Sequence, residues 1–527
     1  MKVLLASLNS KYVHSNLALK YLYASAAKSN AFFEIKEFTI NNDESYMFSE
    51  ILAGNYDVIC FSCYIWNIEE TLYLAENIKK AKPGVIIILG GPEVSCDTAE
   101  LMAQNDIIDF VVMGEGEYTF LRLIEVFLLP SEQPDEEDDE LDDEPDIPIK
   151  SEKELAYENI KGLAYRSDGE IIVNEAMALL VFKTVPFPYN VLPCEQDKII
   201  YYQSSRGCPF SCSYCISSLE KKLRALPIER VFKEMDYFLA NKVKQVKFID
   251  RTFNWDSARC NQIIKHIIDR DNGVTNFHFE ICGELIDDEL ISLLETARDG
   301  LFRFEVGIQS THKKTLAAVR RSAEVEKVLV NTKKLTKLDN VFVHVDLIAG
   351  LPFEDYNRFK TTFNDAYNLY ANTLQLGFLK LLKGTDIRLR AAEYQYKFRS
   401  KAPYEVISNM FLSAQDLCRL KQVEEVLELY YNRGGFEKTL KYIMEAFVDT
   451  PFEFFEELAI FFSLKGFQHK SHKKEDVYRI LYEYGDWKTK ILEISSDEFL
   501  SNLTSDMYAT LNPDAVKKFE RKGWQYV

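Results

Sequence analysis

Two kinds of hydrophobic pattern follow one another along the chain. Over the first 130 residues, short β-branched runs alternate with amphipathic stretches: KVLLASL (2–8), FEIKEFT (33–39), DVICFSCY (57–64), VIIILG (85–90) and DFVVMG (109–114) read as strands. Between them, residues 15–29, 45–53, 67–81, 97–104 and 117–129 carry helical periodicity. Strands that are almost continuously apolar need cover on both faces, so five such β-α units predict a doubly wound, Rossmann-like parallel sheet of the α/β class. Ligands of such sheets bind at the carboxyl ends of the strands. Those ends read LNS (8–10), SCYIWN (62–67), GGPEVS (90–95) and MGEGE (113–117). They are rich in Gly and small polar residues, as close backbone approach to a phosphate-bearing ligand requires.

A hairpin-like segment, GLAYRSDGEIIVNE (162–175), and a Pro-rich connection, VPFPYNVLP (185–193), lead into a second β-α series. Its strands are IIYYQSS (199–205), KQVKFID (244–250), VTNFHFEI (274–281), LFRFEVGI (301–308), VFVHVDLIA (341–349) and TLQLGFLKL (373–381). Six such units predict a partial (β/α)6 barrel of TIM type, with its chemistry at the C-terminal ends of the strands. From about residue 395 the pattern turns helical, as in 404–431, 437–447 and 475–485. The expected organisation is a first domain over 1–130, an acidic linker over 131–150, a connector over 151–198, the barrel over 199–390 and a helical region over 391–527.

Length and charge refine this picture. A chain of 527 residues is too long for one ordinary domain. No apolar run is long enough to span a membrane, and the start is too short and polar for a signal peptide, so a cytoplasmic protein is expected. The net charge of −19 is concentrated in SEQPDEEDDELDDEPDIP (131–148), which has 11 acids and no base; with those set aside the balance is −8. That run should be a disordered insertion, and the mildly acidic remainder argues against nucleic acid as a partner.

Ten cysteines in a protein of this kind do not read as a disulfide framework. Three of them, Cys208, Cys212 and Cys215, fall within RGCPFSCSYC (206–215), directly after the first strand of the second series. Three thiolates can bind three irons of a cubane and leave the fourth open to an exogenous ligand. A zinc site completed by a distant fourth ligand is the alternative reading.

At this loop the sequence resembles the radical S-adenosylmethionine (SAM) enzymes, whose CxxxCxxC motif has an aromatic residue, here Tyr214, before the last Cys. FIDRTFN (248–254), FEVGIQS (304–310), HVDLIAGLPFED (344–355) and LQLGFLKLLKGT (374–385) resemble later strand segments of that family, in order. The resemblance implies a 4Fe–4S cluster on Cys208, Cys212 and Cys215. SAM would sit at the strand ends, with Asp250, Glu280, Glu305 and Gln309 as polar contacts. Glu280 and Glu305 can equally be paired polar residues of the barrel mouth.

A doubly wound domain ahead of such a barrel resembles the cobalamin-binding domain of radical SAM enzymes that use both cofactors. On that resemblance Ser10, Ser62, Gly90, Gly91, Gly114, Glu115 and Gly116 stand where cobalamin is contacted. The Asp-x-His-x-x-Gly loop that supplies a lower cobalt ligand in many such domains is missing, since this loop reads LNSKYVHSNLALKYL. His14 reads as a polar residue before a Ser15 helix cap rather than as a cobalt ligand. Cys60 and Cys63 form a CxxC on a strand, where a spacing of three sends them to opposite faces.

The function these features imply is a cobalamin-dependent radical SAM enzyme. It would cleave SAM to a 5′-deoxyadenosyl radical and methylate an unactivated carbon of a small-molecule or peptide substrate, with an electron donor such as flavodoxin or ferredoxin. A tRNA-modifying methylthiotransferase and a non-catalytic cobalamin or Fe–S sensor stay open as alternatives.

Overall fold

The computed structural model describes residues 1–130 and 152–520, so the acidic run 131–148 lies outside the described residues. Five strands form the parallel part of the first sheet: β1 (Lys2–Asn9), β2 (Phe32–Thr39), β3 (Val58–Ser62), β4 (Ile86–Gly90) and β5 (Phe110–Val112). The intervening helices are α1 (Leu17–Ala26), α2 (Glu44–Ala53), α3 (Ile68–Ala81) and α4 (Thr98–Gln104), and α5 (Gly116–Phe127) follows β5. Strand order is β2-β1-β3-β4-β5, so the winding reverses between β1 and β3. Alternate residues of one strand feed different cores: Leu4, Ala6 and Leu8 pack on one side of the sheet, Val3 and Leu5 on the other. This two-sided burial is why these strands read as unbroken apolar runs. Cys60 and Cys63 likewise fall in opposite cores, as a period of two requires.

After α6 (Glu152–Glu158), the hairpin of β6 (Leu163–Ser167) and β7 (Glu170–Val173) does not stand alone. It adds to the first sheet, β6 pairing antiparallel with β5, and so extends that sheet to seven strands.

The second sheet begins with β8 (Ile200–Tyr202). A short ladder of β9 (Ser205–Arg206) and β10 (Arg224–Ala225) then closes off the cysteine loop. The sheet continues through β11 (Gln245–Phe248), β12 (Asn276–Ile281), β13 (Phe302–Gln309), β14 (Phe342–Ala349) and β15 (Thr373–Phe378). All neighbours are parallel and in chain order, and β8 and β15 are free ends, giving an open six-stranded barrel. Helices α7 (Ile228–Ala240), α8 (Ser257–Asp269), α9 (Asp288–Leu294), α10 (Lys313–Ala318), α11 (Val325–Thr336), α12 (Tyr356–Tyr367) and α13 (Asp386–Leu389) accompany these strands.

Here the pattern alternates strictly. Phe277, Phe279 and Ile281 of β12, and Val343, Val345 and Leu347 of β14, are buried in one apolar core. The positions between them, His278, Glu280, His344 and Asp346, are only part-buried and point the other way. The apolar face packs outward on the helices and the polar face lines the barrel interior.

The C-terminal region is less uniformly helical than its pattern suggests. Residues expected to begin a helix at 404 instead form β17 (Val406–Ser408), paired with β16 (Lys397–Phe398). Val406 and Ile407 favour extended backbone, and the first helix waits for Ser413, whose side chain and Asp416 make a reciprocal cap. Then follow α14 (Ala414–Leu427), α15 (Glu437–Ala446), α16 (Pro451–Leu464), α17 (Lys474–Leu492), α18 (Asp497–Thr510) and α19 (Pro513–Glu520). A π turn over Glu428–Asn432 extends α14 and brings Asn432 against the free edge of β15. Its side chain accepts from Leu374 N at 2.9 Å and donates to Leu374 O at 3.1 Å, covering groups that an edge strand leaves unpaired. No helix among the described residues is long and apolar enough to cross a membrane.

Candidate cofactor and substrate site

The three cysteines lie on the loop between β9 and β10, at the carboxyl end of β8. Gly207 turns the chain at φ +87°, where a Cβ would lie 2.5 Å from the Lys222 carbonyl oxygen of the returning strand. Only glycine permits both the conformation and the approach. Cys208 and Cys212 are buried, Cys215 is partly exposed, and all three thiols are free. The Cys208 Sγ is 3.6 Å from the Thr252 hydroxyl, and the Arg321 guanidinium reaches within 3.8 Å of the Cys212 Sγ and 3.4 Å of the Tyr214 hydroxyl. The same guanidinium donates to the Gly307 carbonyl, which ties the loop to β13.

Asp250 was expected to meet a ligand, and the structure corrects this. It is 1% exposed, and both carboxylate oxygens are occupied internally. They accept from Ser204 N at 2.8 Å, Ser204 Oγ at 2.7 Å and Ser205 Oγ at 2.5 Å. Asp250 therefore fixes the backbone just ahead of the cysteine loop. Burial pushes its pKa up, against those hydrogen bonds.

Glu280, Glu305 and Gln309 do come together. With Arg251, Cys282, Arg321 and Asp346 they line a cavity of ≈ 170 Å³ at the strand ends. Glu305 lies 3.1 Å from Lys247 Nζ and 3.3 Å from His278 Nε2. Burial favours its neutral form, but His278, Lys247 and His344 outweigh that and hold it at about 2. Burial and then the negative charge of Glu305 push Glu280 up to about 7. One carboxylate is thus held charged while its neighbour titrates near neutrality. On β14, His344 is level with Glu305, and its Nε2 is 3.0 Å from Asp346, two residues nearer the strand end. Burial raises Asp346 more than His344 lowers it. Gln309, at φ +70°, has a buried Oε1 with no hydrogen-bond partner in the protein, a vacancy that suits a donor from a ligand.

A second cavity, of ≈ 870 Å³, continues from Tyr214, Glu305 and Gln309 to Gln375 of β15 and to Lys421, Glu424 and Glu428 of the C-terminal region. The barrel's open side is therefore walled by that region.

In the first domain, Ser10 and Ser62 stand at the ends of β1 and β3, where the strand order reverses. Gly91 has a structural reason besides ligand approach: at φ +114°, its Cβ would lie 2.5 Å from the Cys63 carbonyl oxygen. Gly90 is fixed in the same corner, its carbonyl accepting from Cys63 N at 2.7 Å. Gly114, at φ +69°, and Gly116 flank the turn into α5, and no protein atom lies within 4 Å of a Cβ built at Gly114. Glu115 is a correction: its carboxylate is held by Arg224 at 2.6 and 2.9 Å and Arg206 at 3.1 Å, not turned to the strand ends. His14 bonds through Nδ1 to the Tyr201 hydroxyl at 2.7 Å, joining the two sheets. The cap of α1 is Asn16, which accepts from Leu19 N, whereas Ser15 donates to the Ile199 carbonyl. Sequence reasoning missed the stacked pair Tyr64 and Trp66, centroids 4.4 Å apart, at the end of β3. It also missed Arg321, Lys247 and the two lumen histidines, of which only the last three lay in a readable period-two pattern.

The residues present fit the groups that the sequence implies. Three free thiols share one loop, and a part-buried guanidinium faces one of them. At the first sheet's strand ends the turn at Gly114 is open, with no protein atom within 4 Å of a Cβ built there.

These features define an open six-stranded barrel with a three-cysteine loop at its strand ends, behind a Rossmann-like domain. Residues 2–124 match the B12 binding domain, 202–366 the Radical SAM superfamily, and 392–525 a protein family of unknown function, DUF4080. The chain therefore joins a segment similar to B12 binding domains, a segment similar to the Radical SAM superfamily and a segment similar to a family of unknown function. It is 26% identical over 335 residues to the cobalamin-dependent radical SAM methyltransferase TokK of Streptomyces tokunonensis, covering 58% of this chain and 44% of that one. It is also 26% identical over 334 residues to the 2-(S-pantetheinyl)-carbapenam-3-carboxylate methyltransferase of Streptantibioticus cattleyicolor, covering 59% and 45%. The chain thus spans under half the length of these relatives. The solved structure of the cobalamin-dependent SAM radical enzyme OxsB with aqua-cobalamin and SAM bound shares the fold, with a TM-score of 0.61 at 15% identity, covering 100% of this chain and 84% of that one.

Proposed function

We propose that the protein is a cobalamin-dependent radical SAM enzyme that methylates an unactivated carbon of a small-molecule or peptide substrate. The observation that carries this reading is the three-thiol loop, whose Phe210 lines the polar strand-end cavity, in a chain whose residues 2–124 match the B12 binding domain. Bound there, a four-iron cluster with SAM would supply a 5′-deoxyadenosyl radical, and cobalamin a methyl carrier. Cys208, Cys212 and Cys215 would hold the cluster. Arg321 balances thiolate charge beside Cys212, and Asp250 keeps the approach to the loop rigid through Ser204 and Ser205. Glu280, Gln309 and Arg251 offer a titratable carboxyl, a free amide oxygen and a cation to a ligand with an amino group, hydroxyls and a carboxylate. The larger cavity, lined on one side by Lys421, Glu424 and Glu425 of α14, would hold the substrate. An external one-electron donor such as flavodoxin or ferredoxin is required.

Anaerobic reconstitution with iron, sulfide and hydroxocobalamin, followed by dithionite and SAM, tests the proposal. Wild type should form 5′-deoxyadenosine and Cys212→Ala should not. Equal yields from the two proteins would refute it. A non-catalytic sensor would bind both cofactors and leave SAM intact.

A further inference from the structure

The ladder that closes the cysteine loop contains an electrostatic conflict. Arg206 of β9 and Arg224 of β10 are direct partners, and their side chains are only 9% and 10% exposed. Like charges opposite one another on a ladder repel, and the more so when buried. The counter-charge comes from the other domain. Glu115, in the turn after β5, accepts from Arg224 at 2.6 and 2.9 Å and stands 3.1 Å from Arg206. Glu117, in the first turn of α5, accepts from Arg206 as well, and Glu220, within the loop, from Arg224. Leu180 completes the junction, its N–H donating to Glu115 at 2.8 Å and its carbonyl accepting from Arg224 at 2.7 Å. Arg206 is further enclosed by the rings of Tyr21 and Phe182, centroids 5.3 and 4.6 Å away. Although burial opposes it, this arrangement holds the Glu115 carboxyl below its ordinary range.

We infer that Glu115 is a positioning residue through which the first domain holds the base of the three-cysteine loop, so that ligand binding in the first domain and order in that loop are coupled. This rests on the cofactor assignment above. Glu115 stands between Gly114 and Gly116, in the turn at the carboxyl end of the first sheet, and its carboxylate bridges both arginines at the neck of the loop. A ligand that orders this turn orders the neck with it. Without the carboxylate, Arg206 keeps Glu117 and Arg224 keeps Glu220, but no anion bridges the two guanidiniums and none ties Arg224 to the first domain.

Thiol alkylation of the full-length, iron-free protein tests this without any activity. Iodoacetamide labelling is followed at each cysteine by mass spectrometry, with and without hydroxocobalamin. In Glu115→Gln, labelling of Cys208, Cys212 and Cys215 should accelerate at least about fivefold over wild type, while exposed Cys96 and Cys418 keep their rates and buried Cys60 and Cys63 stay protected. Hydroxocobalamin should slow labelling of the three loop thiols in wild type and lose that effect in Glu115→Gln. Loop-thiol rates within twofold of wild type, or equal protection by hydroxocobalamin in both proteins, would overturn the inference. Gel filtration with hydroxocobalamin separates the two claims: if wild type binds none, the cofactor assignment fails, and the rate contrast without ligand still decides the positioning role. If Glu115→Gln does not fold, Arg224→Lys carries the same expectations and the same refutations. After reconstitution, the electron paramagnetic resonance signal of the reduced cluster with SAM should shift in Glu115→Gln, which a loss of overall stability alone would not produce.

Discussion

Replacing Glu280 by Gln should make the protein more stable above neutral pH and leave it little changed in acid. The Glu280 carboxyl titrates at about 7 in the fold, because burial and the neighbouring charge of Glu305 disfavour ionisation. In the unfolded chain it ionises near the ordinary value of about 4.5. The folded pKa is the higher one, so between these values the unfolded state has released the proton and the folded state has kept it. Stability attributable to this group therefore falls as pH rises through that window and levels off above 7. At about 1.4 kcal/mol for each pH decade, the penalty grows from about 1 kcal/mol at pH 5 to about 3 kcal/mol at pH 8. Gln is nearly isosteric and cannot ionise, so any pH-independent effect of the substitution cancels when the two pH values are compared. Urea unfolding of the iron-free protein, wild type against Glu280→Gln at pH 5 and pH 8, measures the difference. The gain in stability should be larger at pH 8 by about 2 kcal/mol. A gain independent of pH, or greater in acid, would refute the claim that burial beside Glu305 sets this group.

Asp250→Asn should lower stability by about 1–3 kcal/mol, because its one remaining oxygen must face the Ser204 N–H and the amide then replaces the acceptor shared by the Ser204 and Ser205 hydroxyls; thermal melting of the iron-free protein checks it. Arg321→Ala removes the cation beside Cys212 and the donor to the Gly307 carbonyl, so iron bound per chain after reconstitution should fall severalfold, with partial recovery in Arg321→Lys. Asn432→Ala uncovers Leu374 on the free edge of β15 and should cost about 1–2 kcal/mol, read as faster hydrogen exchange over Thr373–Phe378 with β11 unchanged.

How far each feature was legible in the sequence follows from the range of the interaction that fixes it. Cys60 and Cys63 could be sent to opposite cores because period two is a local rule. The open barrel followed from six β-α units in succession, and its polar lumen shows in FHFEI (277–281) and VHVDL (343–347), where every second residue is polar. The three-cysteine loop carried its own spacing. Asp250 and Glu115 were misread for one shared reason: both stand where a ligand contact is expected, and a strand-end position does not say which donors face it. The donors of Asp250 lie 45 and 46 residues away, and Glu115 is engaged by Arg224 across 109 residues. The hairpin at 163–173 shows the same limit, since its strands were legible but their addition to the edge of the first sheet depends on β5. Long-range ion pairs also explain why the domains are not independent beads. Glu93, in the GGPE segment of the first domain, is 2% exposed and is engaged by Tyr404 and, at 3.5 Å, by Lys383. Both glycine-containing strand ends of the first sheet, GGPEVS and MGEGE, therefore send a carboxylate into the rest of the chain, Glu93 toward the C-terminal region and Glu115 toward the cysteine loop. A bound ligand at those strand ends would press on the same short turns that hold the barrel in place, which makes the first domain part of the site's support as well as a carrier of its ligand.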